Sequence, residues 1–201
     1  MNYLAIDTSG NHLTVIAKNV ENTCTHFEEN CGVKHSTALM PAVESVLEEA
    51  KLELKDLDFI ACVVGAGSFT GIRIGVATVK ALCFALSIPA LAITSFDTLS
   101  FNETGERFAV IDAGHNGYYV CGYDKDDSVI FPPEYMLEDD LKKVIESKKV
   151  VSYTDIERVG AKKVNAKDGL VLAIEKKKGC LISPDELSPL YCRKSQAEEG
   201  R

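Results

Sequence analysis

Apolar residues along this chain come either as short unbroken runs or at helical spacing, and the two patterns alternate. Residues 3–6 form an unbroken apolar run closed by Asp7, which predicts a buried strand; 13–18 predict a second, and the polar stretch 7–11 between them a hairpin turn. Leu39, Met40, Val43, Val46, Leu47 and Ala50 recur on one side of a 3.6-residue repeat. They predict a helix capped by Ser36 and running to about Lys51, with Pro41 in its first turn. Another strand is predicted at 59–64, then a glycine-rich stretch and a helix from Ser68 to Leu86. A strand at 89–93 and a short helix capped by Ser95 follow. Residues 102–106, Asn-Glu-Thr-Gly-Glu, are the clearest linker.

Beyond the linker the pattern starts again. Residues 108–112 are an apolar run ending in Asp112, as 3–7 end in Asp7, and aligning the two pairs Asn116 with Asn11 and Val120 with Val15. That repetition predicts a duplicated α/β chain of two lobes, 1–101 and 106–201. Two lobes that each open on a hairpin with Asp at its turn resemble the actin, Hsp70 and sugar-kinase (ASKHA, ribonuclease H-like) superfamily, in whose active members these turns line a nucleotide cleft. In the second lobe Pro132-Pro133 predicts a turn. Residues 136–146 predict a helix with Leu137, Leu141, Val144 and Ile145 inward, 150–153 a strand and 170–174 a helix. The later glycines, Gly160, Gly169 and Gly179, are isolated and form no adenosine-binding stretch.

Composition narrows the function classes. Of 201 residues 46% are hydrophobic and 26% charged, ordinary for a globular chain. No unbroken apolar run reaches the ~18 residues of a membrane span. The first residues lack a basic segment, so a cytoplasmic protein with no membrane partner is expected. Seven cysteines without a CxxC pair fit buried reduced thiols, with Cys62, Cys83 and Cys121 inside apolar runs. A net charge of −8 argues against independent nucleic-acid binding. Lysines do gather in the second half (Lys142, Lys143, Lys148, Lys149, Lys162, Lys163 and Lys176 to Lys178).

The segment from Gly65 to Gly75 is the sharpest motif. It follows a strand and opens a helix, the setting in which backbone amides hold an anion. It lacks the Lys of a phosphate loop, and Thr70 stands where a dinucleotide fold has its third glycine. The other reading is steric: glycines let one backbone approach another. The helix after it is apolar nearly all round, interrupted only by Arg73 and Lys80, and must be buried in its own core or against a partner. Gly71 and Gly75, four apart, would let a second helix come close. Asp7 and Asp112 either serve a phosphotransferase cleft or bond their own turns. His12, His26, His35 and His115 show no metal spacing, so no metal site is expected. Ser68 has no nucleophile context. His35 belongs either to the helix start or to a partner surface.

Residues 65–75, Gly-Ala-Gly-Ser-Phe-Thr-Gly-Ile-Arg-Ile-Gly, resemble the GPGSFTGLRIG hallmark of the bacterial TsaB (YeaZ) family. Ala5-Ile6-Asp7-Thr8-Ser9 is similar to that family's opening, residues 35–41 to its first-helix motif, and Pro189-Leu190-Tyr191-Cys192-Arg193 to its closing motif. Ala66 stands where the family has proline, and Ala113-Gly114 where it often has Ala-Arg. The resemblance implies a non-catalytic subunit of the machinery that forms threonylcarbamoyladenosine next to the anticodon of tRNAs. Implied partners are a TsaD-type catalytic subunit, a TsaE-type ATPase, tRNA through the complex, and a second copy of the chain. ATP and metal would belong to the partner subunits, with no cofactor bound tightly here. By position the resemblance implies a partner interface of Leu39, Val43, Val46, Gly71, Ile72, Gly75, Val76 and Val79. A vestigial nucleotide cleft is implied at Asp7, Thr8, Ser9, Gly65, Gly67, Ser68, Thr70 and Asp112. The alternative is an ATP-dependent phosphotransferase or ATPase using Asp7, Thr8, Asp112 and the Gly65 loop. A metallopeptidase, suggested by naming in the wider glycoprotease-like (M22) group, is the weakest reading.

Overall fold

The computed structural model describes residues 1–193. Its first sheet runs β1 (Tyr3–Asp7), β2 (Leu13–Lys18), β3 (Thr23–Glu28), β4 (Phe59–Val63) and β5 (Ala90–Ile93), in the order β3-β2-β1-β4-β5. The first three strands are antiparallel, while β4 and β5 continue parallel from β1. Parallel neighbours need a crossover, and two helices supply it: α1 (His35–Ala50) before β4 and α2 (Phe69–Leu86) before β5. Leu4, Ile6, Leu13, Val15, Ile60 and Cys62 alternate onto one sheet face and join the inward stripes of both helices in one core.

The second sheet repeats this plan. β6 (Arg107–Gly114), β7 (Gly117–Tyr123) and β8 (Val129–Leu137) are antiparallel, and β9 (Lys149–Ser152) and β10 (Lys162–Lys163) extend parallel from β6. The order β10-β9-β6-β7-β8 is that of the first sheet read in reverse, so each strand has its counterpart. The helix α4 (Glu138–Val144) stands where α1 does. In the place of α2 there is only a 3-10 turn, Glu157–Val159. Two further helices, α3 (Ser95–Ser100) and α5 (Ala166–Lys177), follow the last strand of each sheet.

By its contacts the chain divides into Met1–Thr94 with Lys176–Leu190, and Ser95–Glu175 with residues 191–193. The division thus falls ahead of α3, whereas the sequence reading sets it at 102–105. Arg107 explains why that stretch is no loose linker. Fully buried, its guanidinium donates to the carbonyls of Ser100, Gly105 and Asp124 and pairs with Asp127, fastening the segment into the second unit.

Four local expectations are corrected. α1 begins two residues early, at His35, with Lys34 rather than Ser36 at the cap and no side-chain bond, so Ser36 is inside the helix and Pro41 lies past the first turn. Met40 points outward, 40% exposed. Pro132-Pro133 is no turn: both lie within β8, an edge strand, at a register irregularity opposite Cys121, where missing N–H groups need no partner. Met136 and Leu137 end that strand rather than start a helix, and Leu137 is exposed.

Candidate functional site

The turn after β1 and the loop before α2 meet inside the first unit. Ser68 occupies the N-cap of α2 with its hydroxyl accepting from the Gly71 amide, which orients the first helical turn. Its own N–H donates to the Ser9 carbonyl at 2.6 Å. The Thr8 hydroxyl donates to the Gly71 carbonyl at 2.7 Å. A Cβ on Gly67 would collide with the Ser9 carbonyl, one on Gly71 with the Thr8 carbonyl, and one on Gly75 with the Thr8 hydroxyl. Gly65, at φ +112°, lies against the Leu190 carbonyl, and the Leu190 N–H donates to Val64 at 2.7 Å. Of the two readings of the glycines, close backbone approach is the one realised, and what approaches is this lobe's own turn.

Asp7 anchors that turn. Its side chain is 1% exposed; one carboxylate oxygen accepts from the Ser9 amide and hydroxyl at 2.8 and 2.6 Å, the other from His12 Nε2 at 3.0 Å. Burial alone would push the carboxyl up, but the His12 ring and the Ser9 bonds outweigh it and hold Asp7 below its ordinary value. Burial would likewise lower the His12 ring, and Asp7 outweighs it, so His12 is raised. The His12 ring stacks on Phe27 with centroids 5.9 Å apart, and its main-chain carbonyl accepts from His35 Nε2 at 2.9 Å. His35 is therefore a buried part of the helix start, which settles the choice left open by the sequence. The role of His12 was not foreseen; the signal available was its place five residues after Asp7, within reach across one turn.

Asp112 is placed otherwise. It lies in the second unit, exposed, accepting from the Gly114 amide at 2.7 Å. Among the described residues of that unit, none makes a contact like that of His12. Ser68 and Thr70 are exposed at the head of α2, and Arg73 stacks on the Phe69 ring at 3.8 Å.

The residues expected to face a partner are inside. Leu39, Val43, Val46, Ile72, Val76 and Val79 belong to the first core, and Gly71 and Gly75 lie under Thr8. The apolar stripe that periodicity finds is the inward one, so the outer face must be read from what remains. On α2 that face is Arg73, Ala77, Ala81, Phe84 and Ala85, with Phe84 52% exposed. Its length and composition alone would let α2 cross a membrane, but the helix packs on β4 and β1 and closes the core. A cavity of about 460 Å³ lies at its C-terminal end, lined by Cys83, Phe84, Ile88 and Ile182. Burial pushes the Cys83 thiol up to about 11, the reverse of what a nucleophile needs.

A nucleotide with its divalent cation is the ligand an actin-like fold implies for this turn and loop, and the donor set does not fit it. The Asp7 carboxylate is buried with both oxygens engaged, and the space the glycines leave is filled by carbonyl oxygens. Among the described residues no three His, Cys, Asp or Glu side chains are grouped to hold a metal ion.

Comparison with known proteins agrees with the geometry of the fold. The family model for TsaD, tRNA N6-adenosine threonylcarbamoyltransferase, matches residues 14–132. The proteins named tRNA threonylcarbamoyladenosine biosynthesis protein TsaB from Buchnera aphidicola (subsp. Schizaphis graminum) and Bacillus subtilis are 38% and 37% identical over 97 and 102 residues, or 48% and 51% of this chain. The chain belongs to the TsaD family, in its TsaB (YeaZ) branch. TsaB of Escherichia coli is 30% identical over 139 residues, 67% of this chain. The matches span 46%, 44% and 60% of these three TsaB proteins, so the chain spans about half their length. The structure of YeaZ from Pseudomonas aeruginosa superposes with a TM-score of 0.79 at 25% identity, covering 94% of this chain and 99% of that one. The duplicated, two-lobed actin-like α/β fold expected from the repeated hairpin is the fold of this TsaB-branch chain.

Proposed function

We propose that this chain is a non-catalytic subunit of the machinery that forms threonylcarbamoyladenosine next to the anticodon of tRNAs, and that it binds and supports a TsaD-type catalytic subunit. The observation that carries the reading is the use made of the glycine loop. Its atoms are spent on fastening the lobe together, while the outer face of α2 from Ala77 to Ala85 is apolar except for half-buried Thr78 and Lys80. Lys80 bends back to the carbonyls of Asp185 and Leu187, both at 3.2 Å. A small-residue face of this kind lets a partner helix pack closely. On this reading ATP and metal are held by partner subunits, and a TsaE-type ATPase and tRNA join through the complex. A second copy of the chain would compete for the face.

The test is the modification itself. Cells depleted of this chain should accumulate tRNA lacking threonylcarbamoyladenosine, measured by mass spectrometry of digested tRNA, and re-expression should restore it. Unchanged modification after depletion would contradict the role.

A further inference from the structure

We propose that the β1–β2 turn is the internal occupant of the glycine loop, and that the His12–Asp7 contact is its fastening, so that the loop is closed to phosphate by this chain's own backbone. Three observations carry it. First, an anion site presents N–H groups into an open concavity. Here the concavity above Gly67 and Gly71 holds the carbonyl oxygens of Ser9 and Thr8, which repel an anion. Second, the Ser68 N–H, which would face a phosphate, donates to Ser9, and the Gly71 N–H donates to the Ser68 hydroxyl. Third, the turn cannot lift away alone. Ser9 and His12 hold Asp7 on both oxygens, Thr8 holds Gly71, and His35 at the head of α1 holds the His12 carbonyl. Moving the turn aside to admit a phosphate breaks these buried bonds together, three of them to a charged carboxylate. His12 is thus a positioning residue: it acts through Asp7 and touches no ligand.

The inference stands on the first unit alone and requires no partner. Amide NMR on the full chain tests it, using Mg-ATP and, separately, inorganic pyrophosphate as probes. Neither should shift the Ser68, Phe69 or Gly71 amides, and the Ser68 amide should exchange with solvent slowly. In His12→Gln that amide should exchange at least about tenfold faster while α4 and β6 stay protected. Saturable shifts at the loop in the unsubstituted chain would overturn the proposal, and need no variant to be read. Unchanged Ser68 protection in His12→Gln would overturn the fastening role. If that variant fails to fold, Ser9→Ala, which removes one hydroxyl bond to Asp7, should still speed Ser68 exchange, and unchanged exchange there counts against the fastening equally. A chain that bound pyrophosphate yet still restored tRNA modification would lose this inference and keep the subunit role.

Discussion

The carbonyl of Thr8 lies over Gly71 with no room for a Cβ between them, and the Thr8 hydroxyl reaches past it to the Gly71 carbonyl at 2.7 Å. That contact fixes the turn after β1 to the first turn of α2, and it makes glycine obligatory in a helix that would otherwise favour alanine.

Gly71→Ala is therefore expected to destabilise the chain. Alanine gains up to ~1 kcal/mol of helix propensity over glycine, but forcing a methyl into packed atoms costs ~1–3 kcal/mol, and here the obstruction is backbone rather than a movable side chain. Urea unfolding followed by circular dichroism should show a net loss of ~2 kcal/mol. Gly179→Ala, with nothing within 4 Å, should stay within ~0.5 kcal/mol of the parent.

The Asp7–His12 pair should make stability pH-dependent in a defined sense. Because the His12 value is raised from 6.5, its contribution is complete below that pH and is lost as pH rises through the higher folded value. Because the Asp7 value is lowered from 3.8, its contribution is present above that pH and is lost as pH falls through the lower folded value. Both are in force between the two unfolded values. The melting-temperature gap between the parent and Asp7→Asn should be widest near about pH 6 and narrow toward about pH 9. A gap that grows with rising pH would contradict the pairing.

Arg107 should behave as the keystone of the second unit. Its guanidinium, itself out of water, satisfies three carbonyls and the half-buried Asp127 and lies 5.5 Å from the Tyr123 ring centroid. Removing the guanidinium strands the carbonyls it satisfies, at ~1–3 kcal/mol for each buried group left unsatisfied, so Arg107→Ala should unfold this unit at markedly lower denaturant. Arg107→Lys should fail to rescue, since one ammonium cannot reproduce the planar fork. Hydrogen exchange at β6 and β7 reads both outcomes.

Much of this architecture was legible because burial writes itself into spacing. The runs ending in Asp7 and Asp112 gave both central strands, and their repetition gave the duplication that the matching sheet orders display. β3 was not legible: its residues, Thr-Cys-Thr-His-Phe-Glu, bury one side only at an edge, leaving no apolar run. The prolines of β8 misled for a related reason, since an edge strand tolerates what a central strand excludes. At the candidate site the glycine spacing was visible but its partner was not. Periodicity shows that Gly71 and Gly75 share a face and says nothing of what lies against it; the answer, Thr8, is some sixty residues distant in the chain. The same limit put Leu39, Val43 and Val46 on a partner face, because a helical stripe looks alike whether it meets its own sheet or another chain.

The subunit role is tested most directly on the outer face of α2. Ala81 is exposed there, and Ala81→Glu places a charge on it without touching the core. Binding of the parent chain and of this variant to the TsaD-type subunit of the same organism should be compared by calorimetry. The parent should bind, and the variant should bind at least roughly 30-fold more weakly, the equivalent of ~2 kcal/mol, with its melting temperature unchanged. A variant that binds as tightly as the parent, or a parent that does not bind at all, would contradict the account.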